Sequence, residues 1–413
     1  MINFERFQLD NGIKVIVHED HTVPMAVLNV LYDVGAKDED PERTGFAHLF
    51  EHLMFGGSIN IPNYDEPLQQ AGAENNAFTN NDITNYYIQV PSVNLETAFW
   101  LESDRMLDLA FSDKSLETQR SVVIEEFKQR YLNQPYGDVW LILRDLAYKV
   151  HPYRWATIGK ELSHIEKATM DDVKAFYTKH YNPQNAVLVI AGDVELDEVK
   201  TLCNKWFNTI PSGQKYHRNL AKEPVQTEER SIHHYAAVPS NAVYKAFHIS
   251  DRLSKNYYIC DVISDILSRG ESSRLYQKLV KEKSLFSEVN AYISGDIDEG
   301  LFIIEGKPLT HISMEEADNA IWSCLNELKS EKIKTNELQK IINKIESSTI
   351  FAEMSLLNKA MNLAYFELLG DASLVNEEIN HYRQVQPEDI QQVAMNVFTK
   401  ENCSTLYYHS KSE

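Results

Sequence analysis

The chain has 413 residues and a formal net charge of −21, with no dense Lys/Arg run, so a basic nucleic-acid interface is excluded. Its 43% apolar and 24% charged residues are those of a folded protein, and the length suits two or three domains. No apolar run is long enough to span a bilayer, and residues 1–12 lack the basic and apolar regions of a secretory signal, so no membrane role and a cytoplasmic location are expected.

Residues 4–18 alternate around Asp10-Asn11-Gly12, a β-hairpin turn signal. Residues 24–34 follow as an apolar strand. A charged loop from Gly35 to Gly45 leads into a helix, with Thr44 its expected cap and Gly56-Gly57 its end. A short helix near 64–71 precedes residues 73–90, which alternate and are rich in Thr, Tyr and Asn. They read as two strands joined around Asn80–Asp82. Helices are expected over 95–109, over 113–131, and from the Pro135-Tyr136-Gly137 break through Val150. Another, 169–180, opens at Thr169, Asp171 or Asp172, and Asn182-Pro183 turns the chain into a strand at 186–191. Residues 211–229 are polar and hold two prolines, the composition of a linker.

Beyond residue 230 the pattern recurs. Residues 96–126 and 315–346 each hold a helix, a gap and a second helix, with LETQRSVVIEE matched by NELQKIINKIE. MDDVKAFYTKHYNPQNAVLVI (170–190) and PEDIQQVAMNVFTKENCSTLY (387–407) are likewise alike. Both offsets are about 220 residues, the mark of an internal duplication. Two similar α+β domains are expected, 1–210 and 230–413, joined by 211–229.

Residues 48–52 read His-Leu-Phe-Glu-His. On a helix, at about 100° per residue, His52 falls roughly 40° from His48 and Glu51 roughly 60° the other way. Two histidines at i, i+4 can chelate one zinc ion, and the Glu between them can take a proton from metal-bound water. The order H-x-x-E-H is that of the inverzincins. The second repeat has no His or Glu at the equivalent place. A hydrolytic zinc site takes a third protein ligand, and the helix at 113–131 offers Glu117, Glu125 and Glu126. His233 and His234 would face opposite ways on a strand, and His18, His21, His151, His164 and His180 lack ligand spacing. Cys203, Cys260, Cys324 and Cys403 are far apart and read as buried reduced thiols.

The HLFEH stretch, a gap of 73 residues and Glu126 together resemble the pitrilysin family of inverzincins, which includes mitochondrial processing peptidase and insulin-degrading enzyme. GAENNAFTNNDITNYY (72–87) resembles the family's active-site edge strand. HPYRWATIGKELSHI (151–165) and YNPQNAVLVIAGDV (181–194) are similar to its other landmarks. The resemblance covers nearly all of residues 4–210 and weakens after 230, where GESSRLYQKLVKEKS (270–284) is the best fragment.

The resemblance implies a processing-peptidase-like half-length fold. Each of its two domains is an antiparallel-rich sheet packed with helices, and only the first carries metal. It implies one zinc per chain, held by His48, His52 and Glu126, with Glu51 the general base of an endopeptidase acting on unfolded or short peptides. Ala73, Glu74, Asn75, Asn76, Ala77 and Phe78 would bind the substrate along the edge. Gln119 stands seven residues before the ligand, where the family often has a Glu; it can hydrogen-bond there but not carry charge. Many members hold the substrate backbone with an Arg and a Tyr in the second half. Val280 and Ser287 stand at those places, with Lys281 and Phe286 one residue off, and Arg274 reads as structural. Single-chain relatives enclose their site with four such domains. A second copy, or a paralogous chain, is therefore expected to complete a dimeric chamber. The alternative is a noncatalytic scaffold subunit of a peptidase-like complex, and the intact motif favours the enzyme.

Overall fold

The computed structural model of the chain describes residues 1–411. The Asp10-Asn11-Gly12 turn, with Gly12 at φ +99°, joins β1 (Glu5–Gln8) to β2 (Lys14–Glu19). β3 (Met25–Tyr32) is apolar and buried along nearly its whole length, and so is β6 (Ala186–Gly192), as strands covered on both faces are. β4 (Glu74–Thr79) and β5 (Thr84–Pro91) pair antiparallel around the expected turn. The sheet order is β1-β2-β6-β3-β5-β4, with β2 and β6 parallel and the other neighbours antiparallel.

A second sheet is built from β7 (Arg230–Ala236), β8 (Ala242–His248), β9 (Phe286–Ile293), β10 (Leu301–Pro308) and β11 (Cys403–Ser410). Its order is β7-β11-β8-β10-β9, with β7 and β11 its parallel pair. Leaving β1 aside, the two sheets coincide strand for strand in order and direction. Strands starting at 25, 84 and 186 have counterparts starting at 242, 301 and 403, a constant offset of 217. The chain is thus an α+β fold of two similar domains, and the duplication read in the sequence is a duplication of topology.

The domain boundaries differ from those expected. One unit comprises Met1–Gln129, Trp155–Leu220 and Ile350–Glu377; the other comprises Arg130–Arg154, Ala221–Thr349 and the chain from Glu378 onward. Residues 130–154, inside the expected 1–210 domain, therefore belong with the second sheet. There the helix Val139–Ala147 buries Val139, Leu143 and Ala147 in one cluster with Tyr244, Ala246, Leu406 and Tyr408. Residues 350–377 belong with the first sheet, where the helix Leu356–Leu368 packs on β3 and β6. Lys359 Nζ lies 2.6 Å from Asp20 Oδ2, and Lys14 Nζ lies 2.7 Å from Glu367 Oε1.

Residues 211–229 contain neither helix nor strand, as a linker should, but they are anchored. Arg218 donates to both carboxylate oxygens of Asp38, at 2.7 and 2.9 Å, and to the Asp33 carbonyl at 2.6 Å. Glu223 accepts the backbone N–H groups of Lys149, Val150 and His151 at 2.8–2.9 Å. All four cysteines are buried and free. Among the described residues, no helix is long and apolar enough to cross a membrane.

Candidate metal centre

The helix Phe46–Leu53 buries Phe46, Ala47, Leu49, Phe50 and Leu53, and leaves His48, Glu51 and His52 half-buried. Phe50 anchors it, with its ring centroid 4.3 Å from that of Tyr181 and 5.7 Å from that of Tyr177. Thr44 is not its cap. The N-cap residue is Gly45, at φ +85°, and a Cβ there would meet the Ile158 carbonyl at 2.7 Å, so glycine is required. Thr44 Oγ1 instead accepts the Lys160 N–H at 2.7 Å and sits 2.9 Å from His164 Nδ1.

The donors at the start of this helix go to Glu39. Its Oε2 accepts the Gly45 N–H at 2.9 Å and its Oε1 the Ala47 N–H at 2.8 Å. Trp155 Nε1 donates to Oε2 at 3.1 Å and to the Ala36 carbonyl at 3.0 Å. Burial raises the Glu39 carboxyl to about 8, against the pull of its three N–H donors, and the nearby Asp38 adds to the rise.

The second helix, Asp113–Phe127, starts where Ser112 Oγ accepts the Ser115 N–H at 3.1 Å. It buries Leu116, Val123 and Phe127, and a π-helical turn, Lys128–Leu132, replaces the continuous helix expected to 131. Burial separates the three candidate acids. Glu117 is 65% exposed and pairs with Arg120. Glu125 is 60% exposed, its carboxylate 2.6 Å from Lys128 Nζ. Glu126 is 17% exposed and faces the histidines.

Glu126 Oε2 lies 3.5 Å from His48 Nε2 and 3.6 Å from His52 Nε2. One ligand atom from each of the three residues falls within 4.8 Å of the others, the one such group of three or more among the described residues. Ligands about 2.0–2.1 Å from a tetrahedral zinc stand about 3.4 Å apart, so the His–Glu separations fit that ion. Two neutral imidazoles and one carboxylate are also a donor set that zinc accepts in hydrolases.

Glu51 lies beside this group. Burial raises its carboxyl, opposed by a hydrogen bond from Thr79 and by His52, and the negative Glu126 raises it further. Thr79 ends β4, the outermost strand of its sheet, so among the described residues one edge of β4 pairs with no strand. Along it Glu74, Asn76 and Phe78 are exposed, while Ala73, Asn75 and Ala77 are half-buried. Gln119 is half-buried on the Asp113–Phe127 helix, two turns before Glu126.

In the second unit Val280 packs against the hydrophobic core, and Ser287 Oγ donates to the Lys307 carbonyl at 3.1 Å. Phe286 is buried at 2% exposure and Lys281 is exposed, so neither stands in for a substrate-holding pair. Arg274 forms a bidentate pair with Glu337, both bonds 3.0 Å. His233 and His234 diverge on β7: one stacks on Tyr407, the other lies 3.1 Å from Asp138. Glu39 and Trp155 are what residue-by-residue reading missed. The sequence carried no signal for them, because Thr44 stands beside the helix start with the chemistry of a cap, and only the Gly45 N-cap of the structure leaves donors that need an acceptor from elsewhere.

Residues 14–141 match the family described as insulinase (peptidase family M16), and residues 167–345 match that described as peptidase M16 inactive domain. A zinc protease named PqqE from Helicobacter pylori is 29% identical over 383 residues, covering 88% of this chain and 86% of that one. The crystal structure of a protease from Helicobacter pylori superposes with a TM-score of 0.92 at 27% identity, covering 99% of this chain and 100% of the other. Pitrilysin shares the fold at a TM-score of 0.76 and 18% identity, and there the match covers all of this chain but 45% of pitrilysin. The chain belongs to the M16 peptidase family, of the insulinase and pitrilysin type, and its two similar domains span about half the length of pitrilysin.

Proposed function

We propose that the chain is a zinc-dependent endopeptidase acting on unfolded or short peptides. The observation that carries the reading is the meeting of His48, His52 and Glu126 at zinc-ligand separations, with Glu51 beside them. The relative named as a zinc protease supports it. His48, His52 and Glu126 would hold one zinc per chain. When bound, that ion polarises a peptide carbonyl and acidifies water. Glu51 takes the proton of the attacking water and returns it to the leaving amine. The open edge of β4 offers backbone donors and acceptors to an extended peptide, giving affinity with little sequence choice. Ala73 and Ala77 keep side-chain bulk off that edge, and Glu74, Asn76 and Phe78 are placed to touch substrate side chains.

Val280 and Ser287 leave the second domain without an evident substrate clamp. The chain is therefore proposed to work with a second copy of itself or a paralogous chain, which closes the site from water. The same observation supports the noncatalytic alternative, a partner subunit that has lost its clamp. Metal content and cleavage of an unfolded peptide, compared between wild type and Glu51→Gln, separate the two readings. The enzyme loses cleavage and keeps zinc; the scaffold shows no cleavage to lose.

A further inference from the structure

The segment from Gly35 to Glu39 touches both halves of the proposed site. At one end it is bound to the turn that closes the β4–β5 hairpin: Ala36 N–H donates to the Asn80 carbonyl at 3.0 Å and Lys37 N–H to the Asn81 carbonyl at 2.9 Å. Lys37 Nζ, buried, lies 2.7 Å from buried Asp82. A Cβ on Gly35 would sit 2.5 Å from the Asn81 carbonyl group, so backbone lies directly on backbone there. At the other end Glu39 holds the Gly45 and Ala47 N–H groups, and Trp155 Nε1 donates to the Oε2 that also accepts from Gly45. The helix it holds has eight residues and no capping side chain at its N-cap. Such a short helix has little stability of its own and takes its position from what grips its end.

We propose that Glu39 is a positioning residue that sets the zinc ligands against the substrate strand: it fixes the His48–Glu51–His52 stripe relative to β4 through the Gly35–Glu39 bracket. This rests on the metal-site reading above. Three N–H donors converge on the two oxygens of this carboxyl group. Both oxygens of Glu39 accept, and all three partners are donors, so an amide at this place must turn its NH2 group onto an N–H donor. An Asp would fall one methylene short of the helix. Trp155 supplies the third donor, which gives the landmark sequence around it a physical role.

The test uses the full chain and two variants, Glu39→Gln and Trp155→Phe. Zinc affinity is read by chelator competition, kcat and KM on an unfolded peptide, and hydrogen exchange on the amides of residues 45–50. Partners that orient metal ligands typically cost roughly 10- to 100-fold in metal affinity when removed, and that loss is expected for Glu39→Gln. It should come with a fall in kcat, little change in KM and faster exchange at Ala47. Trp155→Phe should move the same readouts in the same direction by less. If Glu39→Gln does not fold, Trp155→Phe decides. A role in stability alone would lower the melting temperature and leave zinc affinity and kcat of the folded protein unchanged, and that result would overturn the proposal. If wild type itself takes up no zinc, the metal-site reading fails, and exchange at Gly45 and Ala47 still decides the bracket. Faster exchange in Glu39→Gln supports it and unchanged exchange sinks it.

Discussion

Glu125 and Glu126 are adjacent, carry the same charge and sit on one helix, so replacing each by Gln isolates ligation from charge. Glu125 is 60% exposed and paired with Lys128 at i, i+3, an interaction worth at most about 0.5 kcal/mol. Its loss should leave zinc binding and melting temperature nearly unchanged. Glu126 stands 3.5 and 3.6 Å from the two imidazole nitrogens. Zinc sites bind with roughly 10–16 kcal/mol, so an even share over four coordination positions gives about 3 kcal/mol for one ligand. That is on the order of 100-fold in affinity, less whatever the Gln carbonyl oxygen restores. The assay is chelator competition on purified protein, with metal content after dialysis as a second readout. Zinc retained normally by Glu126→Gln, with a loss in Glu125→Gln, would refute the ligand assignment and the reasoning from burial behind it.

A fragment ending at residue 210 should aggregate, because it lacks the Leu356–Leu368 helix that packs on β3 and β6. Uncovering the partners of Leu363 and Phe366 alone forfeits about 1.5–3 kcal/mol each, and the face of Val139, Leu143 and Ala147 is left without its second sheet; a soluble, cooperatively melting 1–210 would contradict this. His180 is fully buried, neither ring nitrogen has a hydrogen-bond partner, and burial pushes its pKa down to about 3. With the folded value below the unfolded one, stability is full above about pH 6.5 and falls as pH drops toward 3, by up to about 5 kcal/mol. His180→Met should flatten the decline in melting temperature between pH 7 and 4.5, and identical slopes in variant and wild type would rule the cause out. For assembly, the purified chain alone should run as a dimer, or stay nearly inactive until a paralogous chain is added. A fully active monomer at nanomolar concentration would end that proposal.

The elements that were legible in the sequence have local causes. Gly12 and the Asn80–Asp82 turn fix hairpins within a few residues, and Thr169 with Asp172 forms a capping box inside its own helix. His48, Glu51 and His52 share a stripe because three and four residues on a helix always do. What could not be read is tertiary. The buried stripe of Leu356–Leu368 predicts a covered face but does not say which sheet covers it, and the repeat places it by chain order with the wrong one. Arg218 and Glu223 look like linker charges until Asp38 and the 149–151 backbone meet them. Thr44 has the right chemistry for a cap, yet Gly45 at positive φ takes that place, and Glu39, six residues upstream of it, supplies the acceptors.

The most direct measurement is zinc content and peptide cleavage on one preparation of Glu51→Gln, beside wild type and with any partner chain present. Glu51 is placed to move a proton without binding the metal, so the variant should hold one zinc per chain, as wild type does. Its cleavage of an unfolded peptide should fall by about 10²–10⁴-fold, the usual loss when a general base is removed. Near-normal cleavage with zinc in place would contradict the mechanism, and a wild type that neither binds zinc nor cleaves would contradict the enzyme reading itself.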